Sequence, residues 1–139
     1  MPFRRGFFYF YGKMTVMKKA AAIYSILIGI SMIGMWIMFY LTDSIPELKT
    51  EHWSISMHLV AEFATALMLI FSGAGLLKNK DWGLKIYLIA TGMLLYTLIV
   101  SPGYFLQKGE PGFVIMFAVF FVLAIFFLVR LLTKVSRFL

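Results

Sequence analysis

The chain has 139 residues, of which 62% are hydrophobic and 14% charged, with a mean hydropathy of +0.91. Soluble domains hold roughly 45 to 50% apolar and 25% charged residues, so a soluble reading is set aside. The chain has no cysteine, which excludes disulfides, thiolate metal sites, iron–sulfur clusters and thiol redox catalysis. The net charge of +7 resembles that of a nucleic-acid binder, but its cations sort into short clusters between long uncharged runs, and no nucleic-acid partner is expected.

The opening segment, residues 1–19, is basic and aromatic: Phe3, Phe7, Phe8, Tyr9, Phe10 and Tyr11 lie between Arg4, Arg5 and Lys13. It reads either as an arm lying in the headgroup plane or as an over-extended start, since Met14 and Met17 each stand just before Lys18-Lys19. The first uncharged run, Ala20 to Thr42, covers about 33 Å at 1.5 Å per residue, enough to span a bilayer. It is longer than the apolar stretch of a cleaved signal peptide and lacks a small-residue cleavage site. Ala21, Ser25 and Gly29 repeat along it at spacing four, a seam on which another helix can approach closely.

The second span runs from about Ser54 to Leu77, with Trp53 and Trp82 in the adjacent loops, where interfacial aromatics are expected. The third runs from Gly83 to Val100, where Ser101-Pro102-Gly103 predicts a stop. Gly73 and Gly92 on these two spans are expected to serve helix packing. The fourth runs from Pro111 to Val129 and is closed by Arg130. Its phenylalanines, Phe113, Phe117, Phe120, Phe121, Phe126 and Phe127, read as bulk facing lipid or a partner.

Four spans put both ends on one side. On that side fall Arg4, Arg5, Lys13, Lys18, Lys19, Lys78, Lys80, Lys85, Arg130, Lys134 and Arg137, against Lys49 and Lys108 on the other. Eleven against two is a strong positive-inside bias. The expected fold is therefore all-α, a single four-span transmembrane antiparallel helix bundle in the cytoplasmic (inner) membrane, with both termini cytoplasmic.

One acidic side chain falls inside a span. A carboxyl group well inside a bilayer costs roughly 2.5 kcal/mol or more on insertion scales, so Glu62 is a functional-site candidate by position alone. Ser54, His58, Glu62 and Ala66 recur at spacing four, flanked by Ala61, Thr65, Leu69, Ser72, Gly73 and Leu76. This small and polar stripe should face other helices, and Leu59, Phe63, Leu67, Ile70 and Phe71 should lie opposite.

Counted from Ser54, His58 lies about 6 Å and Glu62 about 12 Å deep, with Tyr96 at about 7.5 Å and Trp36 at about 9 Å on the first and third spans' own scales. His58, Tyr96 and the Trp36 N–H are thus the expected partners of Glu62, with Thr65 one turn further along. Desolvation favours a neutral acid and a protonated imidazole favours the carboxylate, so the two groups can share a proton. A metal site is thin, because zinc takes three or four protein ligands and here only His52, His58 and Glu62, with Asp43 or Glu51, can gather near the external mouth. No metal and no cofactor are expected. The chain has no HExxH pair, nucleotide-binding glycine motif or evident serine triad.

In length, span count and embedded carboxylate the chain resembles the small multidrug resistance transporters, a resemblance that implies proton-coupled exchange at the acid. Those proteins carry the acid on their first span, whereas Glu62 lies on the second, and their dual-topology members balance Lys and Arg across the two sides. Three functions follow from the residues. The first is a structural or interaction protein in the bilayer, assembling with itself or with other membrane subunits. The second is a proton-coupled small-solute transporter or channel using Glu62 and His58. The third is an intramembrane enzyme or a metal- or ligand-binding protein with its site at the external mouth.

Overall fold

The computed structural model describes residues 16–136, with side chains through residue 133. The aromatic arm expected over residues 1–19 therefore lies almost wholly outside the described residues. The helices, in chain order, are α1 Val16–Leu41, the single turn α2 Glu47–Thr50, α3 His52–Leu77, α4 Asp81–Gln107 and α5 Pro111–Ser136. Four of them, α1, α3, α4 and α5, are long and apolar enough to cross a membrane. At 1.5 Å per residue the 26 residues of α1 extend about 39 Å, more than the roughly 30 Å of hydrocarbon. The described residues form an all-helical fold compatible with a membrane protein.

Each of α1, α3 and α4 ends in the same way. Asp43, Asn79 and Gly109 take positive φ (55°, 55° and 74°). The next amide reaches back five residues: Ser44 N–H to the Phe39 carbonyl, Lys80 N–H to Gly75 and Glu110 N–H to Phe105, each at 2.9 Å. This is the Schellman cap, which satisfies carbonyls left over at a helix end; glycine, asparagine and aspartate are the residues that tolerate the left-handed turn best.

The cap at Gly109 corrects the expected end of the third span. The helix does not stop at Ser101-Pro102-Gly103 but carries Pro102 inside it and continues to Gln107. Proline removes one backbone donor and crowds the preceding turn. Here the extra turns bury Ser101 and Phe105 against the rest of the bundle, and that packing outweighs the local cost. What reads as an external loop from Ser101 is thus helix, and the true turn is Lys108 to Glu110.

α1 lies along α3, α3 along α4 and α4 along α5, while α1 and α5 touch sparsely. The half of the bundle nearest the α3–α4 turn is tightly closed. Ala21, Ala22, Leu76, Leu84, Tyr87 and Leu131 form its core. A Cβ on Gly73 would sit 2.7 Å from the Ala22 carbonyl oxygen, and one on Gly83 would sit 2.7 Å from the Gly75 carbonyl carbon. Helix backbones therefore touch on both sides of α3. Lys18 is also buried here, and its Nζ donates to Asn79 Oδ1 at 2.5 Å. A residue legible in the sequence only as a topological charge thus ties α1 to the turn after α3.

Along the α1–α3 seam, Ser25 Oγ donates to the Leu69 carbonyl at 2.7 Å and lies 3.1 Å from Ser72 Oγ. A Cβ on Gly29 would meet the Ala66 carbonyl at 2.7 Å. Ala21 is fully buried on the same seam. Gly92, expected to pack a helix, does not: it is exposed and nothing stands within 4 Å of where its Cβ would be. It lies on the outer side of α4, because Ala90, Thr91 and Leu94 carry the inner face.

Candidate functional site

The other half of the bundle is hollow. Between α1, α3, α4 and α5 lies a cavity of about 290 Å³, close to the lower end of the roughly 300–1,000 Å³ of small-molecule pockets. α1 contributes Ile28, Ser31, Met32, Met35 and Trp36, and α3 contributes Glu62. α4 contributes Leu94, Thr97, Leu98, Ser101 and Phe105, and α5 contributes Phe113, Met116, Phe117 and Phe120. Helical spacing explains each set. Thr97, Ser101 and Phe105 are four apart, and Phe113, Phe117 and Phe120 follow at four and three, so each set forms one stripe along its helix.

Glu62 is 3% exposed. The Trp36 indole Nε1 donates to its Oε2 across 3.4 Å, and His58 Nε2 lies 3.8 Å from its Oε1, one helical turn away. The His58 side chain is 37% exposed, so a titratable ring stands between the buried acid and the surroundings of the bundle. The ring also packs edge-on against Trp36, with centroids 5.7 Å apart. The bundle places Glu62, His58 and Trp36 together. Glu62 is the single ionisable side chain among the cavity's wall residues, and Ser31, Thr97 and Ser101 add hydroxyls.

Two other expected members are elsewhere. Tyr96 is 70% exposed on the outer side of α4 and cannot meet Glu62. It has a suitable depth, but the inner face of α4 at that level is carried by its neighbours Thr97 and Leu98. Thr65 is buried, yet its Oγ1 turns back to its own helix and donates to the Ala61 carbonyl at 2.8 Å. His52 lies at the start of α3 with its ring edge-on to Trp53. Among the described residues no group of three or more His, Cys, Asp or Glu side chains gathers as a metal would require.

The fourth span also differs from its reading as outward bulk. Phe117 is buried, Phe113 stacks on Phe105 with centroids 4.5 Å apart, and both line the cavity. Phe126 does face outward. A helix made almost entirely of large apolar residues carries no contrast between faces, so its inner stripe is set by what α4 presents to it. Ser101 and Phe105 were missed for a different reason: they lie beyond Val100, where Ser101-Pro102-Gly103 signals a helix end. The spacing Thr97, Ser101, Phe105 is the signal that would have found them.

The cavity is capped toward the α1–α3 connection by three rings. Phe39 lies 6.1 Å from Phe105 and 6.4 Å from Phe113, which stack on each other. Above them, Tyr104 Oη donates to Glu47 Oε2 at 3.1 Å, and Lys108 Nζ donates to the Ser44 carbonyl at 3.3 Å. The chain's polar connections thus lie over an aromatic lid, with the acid beneath it.

Comparison with curated proteins and with solved structures gives no match. Residues 14–138 match the family model described as Domain of unknown function (DUF8058), and the chain belongs to that family.

Proposed function

We propose that the protein binds a small solute inside the membrane and works as a proton-coupled carrier, with Glu62 as the polar anchor of the site and His58 as its proton partner. The reading rests on one observation: Glu62, buried in the bundle, is among the residues that line a cavity of about 290 Å³. A group that costs this much to place in a bilayer is typically found on an ion, proton or substrate path. The polar stripe of α3 and the apolar walls supply the two properties of a ligand pocket, a few oriented polar atoms in a hydrophobic enclosure. The positive-inside charge pattern favours an orientation in the cytoplasmic membrane with both ends inside and the α1–α3 connection outside, in an antiparallel bundle.

The competing structural reading, a subunit held together or joined to others through Glu62, has the Trp36 hydrogen bond in its favour. Infrared difference spectra of the protein in lipid, recorded from about pH 5 to 9, separate the two. A carrier gives a protonated carboxyl band that changes across the series and is absent in Glu62→Gln, with proton-coupled uptake lost while the helix content is kept. A Glu62→Gln protein that retains all activity, with no titrating band in the wild type, leaves the structural reading.

A further inference from the structure

Among the helices that line the cavity, α1 and α5 touch sparsely. That seam is pinned at two places. On the tight half, Tyr24 Oη donates to the Phe120 carbonyl at 2.6 Å and its ring lies 5.1 Å from Phe127. Near the lid, Phe39 meets Phe113. Tyr24 and Phe39 are about 22 Å apart along α1. Between them stands Ser31, which lines the cavity and is itself exposed. Ser31 lies about 15 Å from Leu41, the end of α1, so an opening between the two pins falls near the middle of the span.

We infer that the cavity takes an uncharged, compact lipophile bearing one hydroxyl or carbonyl group, which enters from the hydrocarbon layer through the window at Ser31. The inference rests on the pocket reading above and adds the ligand class and its route. A mid-membrane window faces hydrocarbon, and a bare ion is rare there because its transfer out of water costs many kcal/mol. Molecules dissolved in hydrocarbon reach it directly. The walls of Met32, Met35, Met116 and phenylalanine match such a body, and methionine adapts to irregular shapes. Glu62, Thr97 and Ser101 then offer the hydrogen-bonding atoms that an alcohol or carbonyl lacks in hydrocarbon, and pairing them on binding recovers its polar group's unmet bonds. The titratable group facing Glu62 is His58 on its own helix; Trp36 from α1, Thr97 and Ser101 from α4, and the phenylalanines and Met116 of α5 do not ionise near neutral pH.

The test uses the full chain in lipid vesicles with Trp53→Phe and Trp82→Phe, so that Trp36 in the cavity wall reports binding by its emission. Three probes of one shape are added: 1-adamantanol, 1-methyladamantane, which has no polar head, and 1-adamantylammonium. The expected result is saturable binding of the alcohol, at least tenfold tighter per molecule in the bilayer than either of the others. In Glu62→Gln, which keeps hydrogen-bonding atoms at that place, the alcohol should still bind, whereas Glu62→Leu should erase its preference over 1-methyladamantane. Ser31→Leu, a change on an exposed helix face, should slow association about tenfold with helix content unchanged. Equal binding of alcohol and hydrocarbon, or tighter binding of the ammonium, overturns the ligand class while the pocket stands. An unaltered association rate in Ser31→Leu overturns the route. Saturable binding of none of the three removes the pocket reading itself.

Discussion

Trp36 on α1 points its indole N–H at Glu62 on α3 across 3.4 Å, at the wall of the cavity. The separation is long for an N–H···O bond, whose usual length is about 2.9–3.0 Å, so the contact orients the acid more than it holds the helices together. Trp36→Phe keeps an aromatic ring in the wall and removes the donor. It should lower unfolding stability in lipid or detergent by about 1 kcal/mol or less, in line with interhelical hydrogen bonds in membrane bundles. Coupling to Glu62→Gln in a double-mutant cycle should be of the same size. A coupling of several kcal/mol would make the pair a structural clamp and weaken the carrier reading.

Glycines in the α1–α3 seam and on the outer face of α4 should respond differently to one added methyl group. Gly29→Ala and Gly73→Ala place a Cβ 2.7 Å from a backbone carbonyl of the facing helix, so the helices must part. Each change should cost about 1–3 kcal/mol, the usual range for overpacking. Gly92→Ala meets open space and should be neutral or stabilise by up to about 1 kcal/mol through helix propensity. Thermal unfolding of the three variants checks this, and a Gly92→Ala protein as unstable as Gly29→Ala would mean that another chain packs on that face.

The polar half of the architecture was the legible half. Small and hydroxylated residues at spacing four stand out against an apolar background, so Ala21, Ser25 and Gly29, and the Glu62 to Gly73 stripe, could be assigned a face from sequence alone. Placing Glu62 with His58 and Trp36 needed only helical spacing and depth. Depth without azimuth was not enough for Tyr96, because a residue at the right level of α4 still has a whole circle of directions to point in. The cavity was illegible for a related reason. It lies among four helices of which α1 and α5 touch only sparsely, and the residues that frame it, such as Met35, Met116 and Phe120, are the same types that fill cores. The length of α4 was misread because a proline's local cost is visible in sequence, whereas the burial of Ser101 and Phe105 that offsets it is not.

Ser25 carries the polar part of the α1–α3 seam through its bonds to the Leu69 carbonyl and to Ser72. Ser25→Ala keeps the small volume that close approach requires and deletes the hydroxyl. Ser72 retains its own bond to the Leu69 carbonyl at 2.9 Å, so no buried group is orphaned. The expected loss is therefore small, about 0.6 kcal/mol and below 1.7 kcal/mol, whereas Ser25→Leu should disrupt the seam as severely as Gly29→Ala. A loss from Ser25→Ala equal to that from Ser25→Leu would show that the hydroxyl, not the volume, holds the helices together.

The clasp over the lid gives the last prediction. Tyr104 Oη reaches Glu47 on α2, and Lys108 Nζ sits 4.3 Å from the centre of the Tyr104 ring while donating to the Ser44 carbonyl. One tyrosine thus links the α1–α3 connection to the end of α4. Tyr104→Phe retains the ring under Lys108 and removes only the hydroxyl, so the long helices should be unaffected and α2 should loosen. Amide hydrogen exchange over Glu47–Thr50 should quicken by a factor of about 2 to 5, equivalent to about 0.5–1 kcal/mol for one partly exposed hydrogen bond, while exchange in the middle of α3 stays the same. Glu47→Gln, which keeps an acceptor oxygen for the tyrosine, should change exchange less than Tyr104→Phe does. Unchanged α2 exchange in Tyr104→Phe would show that Ile45, buried against Trp36 and Ile55 in the small core beneath the connection, anchors this segment without help from the clasp.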